Sequence, residues 1–434
     1  MRILLIYDNF VRDYRGLLLL KEFLKRMGHR TWIYPGWKNP IEFALYKQAQ
    51  IMVVGQIAES ATSKYGAFCK KNSIHLVINT SEPISAEKKL PIRLAYNTND
   101  SNQDIISLQT LATKNSHTYV KENKNINALN KNKYKLVGFP RTDISYQKEL
   151  RTIEEERFSS KYNLGRFNKT FLFVSSFLFE DAFVGVPEKD LEKWDYSSFR
   201  KKTSALRDHT VKILKKFILE ELNDDEVLLI KKHPWDCSDF WENFTASQNC
   251  IVLDNTEFIT TCINASDIII HTYSTSAIEA WIMNKKTVSI FLEEYSKDNI
   301  IHMQFENIAY DYETFLEIIN DSSPNIPDVN NDILFNGTMD GQATLRLAQI
   351  INELKPLESL IPKRPPSYSR LIKLQLDYLS KNWGLRKYYL DTFPNRNSKL
   401  YDFMAWENQK SIVNRTYRKP IRKFVKATLK AKKQ

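Results

Sequence analysis

The sequence predicts an α/β protein made of two doubly wound parallel sheets. Three observations carry that prediction. Short β-branched and aliphatic runs alternate with amphipathic helical stretches, the pattern of parallel strands joined by helical crossovers. The alternation stops over residues 152–169 (TIEEERFSSKYNLGRFNK), a hydrophilic charged stretch, and then restarts. At 434 residues the chain is too long for one ordinary core and suits two domains plus an extension.

In the first half, residues 4–7, 30–34, 51–54 and 74–79 are expected strands. Residues 16–27 (GLLLLKEFLKRM, closed by Gly28), 41–48 and 62–71 are expected helices. Residues 110–115, 119–121 and 135–137 continue in short units. In the second half, 170–175 (TFLFVS), 226–231 (EVLLIK), 251–253, 267–271 (DIIIH) and 287–291 read as strands, with helices at 204–221 and 276–283. The expected domains are therefore Rossmann-like units at 1–150 and 170–355, with 151–169 as the linker region. A helical, aromatic and basic extension follows at 356–434, broken at KRPPS (363–367). No internal repeat of fixed period occurs. Two such domains facing each other make a cleft, and ligands bind at the carboxyl ends of strands in such sheets.

Composition narrows the class. Hydrophobic residues are 42% and charged residues 26%, which is globular usage. The four cysteines (Cys69, Cys237, Cys250, Cys262) are scattered, with no CxxC or Cys/His spacing, so neither a zinc site nor a disulfide frame is suggested and a reducing compartment fits. MRILLIYDNF opens on an apolar run of only five residues, too short for a secretory signal. No run of about 18 apolar residues exists to span a bilayer, so a cytoplasmic location is expected. Net charge is +12, and from Lys410 to Gln434 there are ten Lys/Arg and no Asp/Glu. Such a segment suits nucleic acid or an anionic membrane surface, or stands as a solvated basic tail.

The second half carries the most informative chemistry. LLIKKHPWD places His233 and Pro234 just after a strand, and ASDIIIHTYSTSAIEAW places Ser274, Thr275 and Ser276 between a strand and a helix. Hydroxyls and free amides at a helix N-terminus make an anion cradle, and a histidine at the neighbouring strand end donates to the same phosphate. Lys231 and Lys232 add positive potential. Plain N-capping is the competing account of the three hydroxyl residues. Glu279, three residues after Ser276, suits either a capping box or a ribose hydroxyl pair. His271, in an apolar strand end, reads as structural. No GxGxxG and no GxxxxGK[ST] occurs, so a dinucleotide fingerprint and a P-loop are unsupported. In the first half, LVGFPRTDI ends a strand on a rigid turn, and Asp143 there is either a helix cap or a carboxylate held stiffly for chemistry.

GFPRTD, the HP motif and the STS-helix motif with its following Glu-Ala occur in this order. Together they resemble the bacterial surface-carbohydrate and capsule biosynthesis glycosyltransferases of GT-B fold, most nearly the retaining β-Kdo transferases that use CMP-activated ulosonic acids. VRDYRGLLLLKEFLKRMGH resembles their opening strand and helix, and the likeness covers roughly residues 1–300 in patches. HP and STS are short and shared with sialyltransferase-like and glycerophosphotransferase-like enzymes. Relatives show Gly-Asn-Pro-Arg-x-Asp, so Phe139 here replaces an amide.

The resemblance implies transfer of Kdo or a related ulosonic acid in lipopolysaccharide or capsule assembly, without metal or cofactor. Asp143 would be the nucleophile of a covalent glycosyl-enzyme, with retention. Arg141 would pair with the donor carboxylate or with Asp143. Glu82, in INTSEPIS where relatives have a Glu-Glu-Gly-like stretch, would be the acid/base. Arg12 or Arg15 would neutralise the anionic sugar, or form a surface ion pair. His233, Pro234, Ser274, Thr275, Ser276, Glu279 and Lys232 would hold the nucleotide of a CMP-sugar donor. The acceptor would be an oligosaccharide or lipid-linked glycan at the inner membrane face. The tail, with Trp383, Tyr388, Tyr389, Trp406, Tyr417 and Phe424 among its basic residues, would touch that surface or pack back as a helix across both domains. Two rivals stand beside this reading. A polyol-phosphate transferase using CDP-glycerol or CDP-ribitol shares the HP and hydroxyl-rich motifs and needs a first-domain histidine base, from His29, His75 or His117. A degenerate nucleotide- or glycan-binding module would be indifferent to loss of Asp143 and Glu82.

Overall fold

A computed structural model describes residues 1–7, 9–36, 40–55, 59–80, 106–123, 126, 128–177, 196–233, 236, 240–244, 249–293, 303, 306–322, 326–329, 338–357 and 398–432. The chain forms two compact units.

Unit 1 takes Met1–Leu150 and two later segments. Its elements run β1 (Arg2–Tyr7), α1 (Phe10–Arg26), β2 (Arg30–Pro35), α2 (Pro40–Tyr46), β3 (Ile51–Val54), α3 (Glu59–Lys71), β4 (His75–Ile78), β5 (Leu108–Leu111), α4 (Lys114–Glu122), α5 (Ala128–Lys131) and β6 (Tyr134–Leu136). The sheet is parallel throughout, ordered β2-β1-β3-β4-β5-β6, so its winding reverses between β1 and β3. Every residue of β3 and β4 is buried, which is why both read as uninterrupted aliphatic runs. α1 begins at Phe10, ahead of the expected residue 16, because Asn9 caps it by accepting the Arg12 amide. Residues 119–121, expected only as a short unit, belong to a helix, since Thr113 accepts the Ser116 amide at 3.0 Å and starts α4. After β6 come a 3-10 turn (Pro140–Thr142), α6 (Asp143–Tyr146) and α7 (Lys148–Arg151).

Unit 2 takes Arg151–Asp328 and Asn395–Gln409. It runs α8 (Glu155–Lys161), β7 (Lys169–Val174), α9 (Tyr196–Glu220), β8 (Glu226–Lys231), β9 (Cys250–Val252), α10 (Ile259–Asn264), β10 (Ile268–His271), α11 (Ser276–Ile282), β11 (Lys286–Ile290), β12 (Ile308–Ala309) and α12 (Tyr312–Asn320). This second parallel sheet is ordered β12-β11-β10-β7-β8-β9, and its winding reverses between β7 and β10. Alternate residues of β7 bury into opposite faces. Phe171 and Phe173 join Phe217, Trp241 and Phe315, while Leu172 and Val174 join Phe158, Leu229 and Ile269. The charged stretch expected as a linker belongs to this unit. Phe158 of α8 is fully buried, and Arg157 and Lys161 pair with Glu257, itself only 2% exposed, at 2.6 and 2.8 Å. Charge in that stretch thus belongs to part-exposed cations that pair with a buried acid of the same unit.

The chain then returns to unit 1 with α13 (Ala343–Glu353) and, after α14 (Ser398–Ala431) begins, with the part of α14 from Lys410 onward. Residues 338–355, expected in the second domain, therefore pack with the first. The reason is a set of contacts to the GFPRTD stretch. Asp143, 2% exposed, accepts the Ala343 and Thr344 amides at 3.2 and 2.6 Å and caps α13. The Thr344 hydroxyl donates to the Pro140 carbonyl at 3.0 Å. Arg346 donates to the carbonyls of Val137 (2.7 Å) and Thr338 (2.8 Å). Gly138 sits at φ +90°, and a Cβ there would stand 2.3 Å from the Thr338 carbonyl oxygen. On α14, Val413, Tyr417, Ile421 and Val425 form a buried stripe at four-residue spacing. Among the described residues, Cys69, Cys250 and Cys262 are buried and take part in no disulfide.

Gly138→Ala combines a left-handed backbone with that clash, so it should cost roughly 2–4 kcal/mol, read as a lower urea midpoint. Asp143→Ala leaves two buried amides without an acceptor, a cost of about 2–4 kcal/mol. Burial pushes the Asp143 carboxyl up to about 7, although the Thr344 and Ala343 amides and Arg346 oppose the rise. A folded-state pKa raised above the unfolded value favours the fold at low pH. That contribution should fade as pH climbs from about 4 through about 7, by a few kcal/mol. Unfolding at about pH 5 and pH 8 should show this slope in the native chain and a flatter one in Asp143→Asn.

Candidate functional site

Strand register assembles the site in unit 2. Lys231 pairs laterally with Val174, Val174 with His271, and His271 with Ser289. The carboxyl ends of β8, β7, β10 and β11 therefore lie side by side, at the point where the winding reverses. Open α/β sheets bind ligands there. The HP and STS motifs, separated in sequence, flank β7 on this edge. Between them β7 continues into Ser175 and Ser176, residues that the motif analysis did not pick out. The Ser175 amide donates to the Lys231 carbonyl at 3.0 Å, tying the two strand ends. The Ser176 hydroxyl oxygen is buried and makes no hydrogen bond. The only signal for it was that a second serine follows the one that ends TFLFVS.

The loop after β10 rests on a buried polar chain. His271 and Glu306 are both fully buried, with Nε2 and Oε1 3.0 Å apart. The Ser274 amide donates to His271 Nδ1 at 3.3 Å, so that nitrogen accepts and Nε2 faces the carboxylate. Glu306 also accepts the Thr287 hydroxyl at 2.8 Å, and that hydroxyl accepts the Trp281 indole N–H at 2.9 Å. Above this chain the Ser274 hydroxyl donates to the Ser276 hydroxyl at 3.0 Å and accepts the Ser276 amide at 3.3 Å. Ser274 thus caps the first turn of α11. Thr275 is half-buried, and Glu279 lies on the buried face of α11. Burial pushes the Tyr273 phenol up to about 12, leaving a neutral O–H donor beside the loop.

The loop after β8 is differently built. Lys231 donates to the carbonyls of Asp254 (3.3 Å) and Asn255 (3.2 Å). Lys232 pairs with Glu242 at 2.8 Å. Both ammonium groups are thus engaged within the protein. His233 is half-buried, and its carbonyl accepts the Asp236 amide at 2.8 Å. Asp236, fully buried, accepts the Trp241 indole N–H at 3.0 Å and fixes the loop to the core. Pro234 lies outside the described residues.

Of the described unit 1 candidates, Arg12 and Arg141 both act on Asp13, while Arg15 and Asp143 are engaged elsewhere. Arg12 pairs with Asp13 at 2.7 Å. Burial raises the Asp13 carboxyl, but Arg12, the Asn9 amide and Arg141 outweigh it and hold it below the usual value. Arg15 is buried against the C-terminal helix and donates to the Tyr417 hydroxyl at 2.7 Å. Arg141 lies 4.8 Å over the Phe139 ring and, with Asp13, Gly55 and Asn79, lines a small cavity of about 30 Å³ at the β1/β3 reversal. Asp143 is the cap of α13 described above, and Glu82 lies outside the described residues, as do Trp383, Tyr388 and Tyr389. His29 meets the amino terminus (3.0 Å) and Asn352 (2.9 Å), and His75 meets the Lys355 carbonyl (2.8 Å). Both stand at the amino ends of their strands, and His117 lies on α4. Among the described residues no helix is long and apolar enough to cross a membrane, and no group of three His, Cys, Asp or Glu is placed to hold a metal ion.

Comparisons with known proteins set this geometry in a family. Residues 84–351 match the family model described as CDP-glycerol:poly(glycerophosphate) glycerophosphotransferase. A comparison with curated proteins gives no match. Among solved structures the chain is similar to UDP-GlcNAc 2-epimerase from Methanocaldococcus jannaschii, at 12% identity and TM-score 0.53, over 81% of this chain and 99% of that one. It is similar to S. aureus MnaA bound to UDP, at 11% identity and TM-score 0.54, over 83% and 100%. It is also similar to the wall teichoic acid polymerase TagF, at 12% identity and TM-score 0.54, over 81% and 88%. These likenesses establish a GT-B-type fold. The family match overturns two expectations, transfer of Kdo and a CMP-sugar as the donor partner. The covalent aspartyl step implied for Asp143 rested on that reading and goes with it. HP and STS motifs are common to both kinds of enzyme, and the polyol-phosphate rival is the one the match supports. This chain belongs to the CDP-glycerol:poly(glycerophosphate) glycerophosphotransferase family.

Proposed function

We propose that this chain transfers a polyol phosphate from a CDP-activated polyol to a hydroxyl of a growing polymer, with unit 2 binding the cytidine nucleotide. The observation that carries the reading is the alignment of four strand carboxyl ends at the β7/β10 reversal, within the stretch matched by the family model. The similar TagF has been solved with CDPG. In the reaction the acceptor oxygen attacks the phosphorus that carries the polyol. A new P–O bond forms, the bond to the bridging oxygen breaks, and CMP leaves with the electron pair while the hydroxyl proton is released. Such a transfer needs positioning and stabilisation of charge on phosphate oxygens more than covalent chemistry.

The donors for that task are Ser176, Thr275, Ser276 and His233, while the Ser274 hydroxyl already donates to Ser276. Lys231 and Lys232 already have protein partners, so hydroxyls, amides and an imidazole carry the work. The buried His271–Glu306 pair holds the serine loop in place from below. Glu279, buried on α11, shapes that loop's helix.

A thermal-shift panel with CMP, CDP, UDP, GDP and ADP tests the assignment, because a ligand that binds only the folded state raises the melting temperature. CDP should give the largest shift. His233→Ala and Ser176→Ala should each shrink it and lower kcat/KM for CMP release from CDP-glycerol by about tenfold to a hundredfold, or roughly 1.4–2.7 kcal/mol. A preference for UDP, GDP or ADP would defeat the donor assignment. No response to any nucleotide would favour a binding module.

A further inference from the structure

A second concentration of charge lies on unit 1, in residues that the proposed chemistry does not use. α1 and α14 enclose a groove of about 270 Å³. Lys21 and Lys25 line it from α1, and Arg418 and Arg422 line it from α14. Glu22 is the one carboxylate in the lining, and it already serves Arg26 at 3.2 Å and Arg422 at 3.6 Å. Among the described residues, no carboxylate lies within ion-pairing distance of Lys21, Lys25 or Arg418. Four cations crowded around one shared carboxylate repel one another, and an anion between them relieves that cost. The strain is felt by the Lys21 ammonium, which burial lowers first, with Lys25, Lys410 and Arg418 adding to the effect against Glu22.

The groove is built, not incidental. The buried stripe Val413, Tyr417, Ile421 and Val425 seats α14, the Asn414 side chain donates to the Tyr14 hydroxyl at 2.9 Å, and Phe424 meets Phe23 edge-on at 6.5 Å. These contacts fix the rotation of α14 about its axis and so aim Arg418 and Arg422 at α1. Each helix contributes two cations four residues apart, about 6 Å along its axis. One helical turn is about the reach of a three-carbon diol esterified at both ends, so consecutive phosphates of such a chain would meet consecutive cations of a helix. A planar anionic surface is served by cations on a convex face. Here they line a concavity, with a carboxylate in its wall.

We propose that the groove between α1 and α14 binds the phosphodiester backbone of a polyol-phosphate chain, a site on unit 1 in addition to the nucleotide site on unit 2. The identity of the chain rests on the polyol-phosphate reading above, while the requirement for a phosphate polyanion rests on the groove itself. The arrangement holds a polymer by charge spacing and not by recognition of its polyol, so its affinity falls steeply with salt.

The test uses the full-length protein and a lipid-free glycerol-phosphate oligomer, with binding measured by calorimetry at low and moderate salt. Lys21→Gln with Arg418→Gln removes one cation from each helix at positions outside the nucleotide site. The double variant should bind the oligomer about tenfold more weakly, with a shallower salt dependence. Its thermal shift with CDP and its kcat should match the native chain, while KM for an oligomeric acceptor rises. Equal oligomer affinity in native and variant chains would overturn the proposal, as would no binding by the native chain. Loss of binding to phosphatidylglycerol vesicles without loss of oligomer binding would overturn it in favour of a lipid surface. Absence of the CDP shift in the native chain would defeat the reading of unit 2 and leave the oligomer result to decide the groove.

Discussion

The fold of unit 1 depends on one carboxylate. Asp143 accepts two amides of α13 across a separation of 200 residues, and among the described residues no other side chain caps that helix. A helix start exposes four N–H groups without internal partners, and a buried one needs an acceptor from elsewhere. The surrounding residues serve the same contact. Gly138 lets the Thr338 carbonyl approach, Pro140 offers its own carbonyl to Thr344, and Val137 offers its carbonyl to Arg346. LVGFPRTDI is thus a dock for the returning chain. Loop closure grows only slowly with length, each doubling adding about 0.6 kcal/mol. Inserting unit 2 between the halves of the dock is therefore a small burden, provided the dock is specific. Directional hydrogen bonds at a tight glycine turn supply that specificity.

Such a dock explains how far the chain could be read in advance. Strands β1, β3, β7, β8 and β10 are buried on both faces and appear in the sequence as uninterrupted aliphatic or aromatic runs, so the sheets were legible. Element edges set by a single side chain were not. Asn9 moves the start of α1 back by six residues from 16 to 10, and Thr113 turns residues 119–121 into helix. The allegiance of α13 was invisible, because it is decided by contacts from residues 137–143. The charged stretch 152–169 looked solvated because its cations and its acid, Glu257, lie far apart in sequence.

The site shows the same division. The HP and STS motifs were visible because each is a local run. Their meeting at one sheet edge follows from register, which the strand order alone fixes. Ser176 escaped notice because it stands outside the strand, and the His271–Glu306 pair because its partners are separated by 35 residues that include a helix and a strand. The donor class was misread for a related reason. GFPRTD tipped the balance toward an aspartyl nucleophile, yet in this structure the residues of that stretch are occupied with backbone groups of α13.

Charge is distributed between the two units in opposite ways. At the strand ends of unit 2, Lys231 and Lys232 are engaged by carbonyls and by Glu242, so the groups proposed to meet phosphate are hydroxyls and an imidazole. Neutral donors bind a nucleotide phosphate with less affinity than free ammonium groups would, but they hold leaving CMP less firmly as well, which suits repeated turnover. On unit 1 Lys21, Lys25, Arg418 and Arg422 line a concavity, and Glu22, paired with Arg422, is the one carboxylate among its described lining residues. In the reading proposed above, charge at fixed spacing suits a polyanion that stays associated while sliding, since each phosphate would exchange one cation for the next at nearly equal energy. Release of a small anion at one proposed site and retention of a long one at the other would call for these two arrangements of charge.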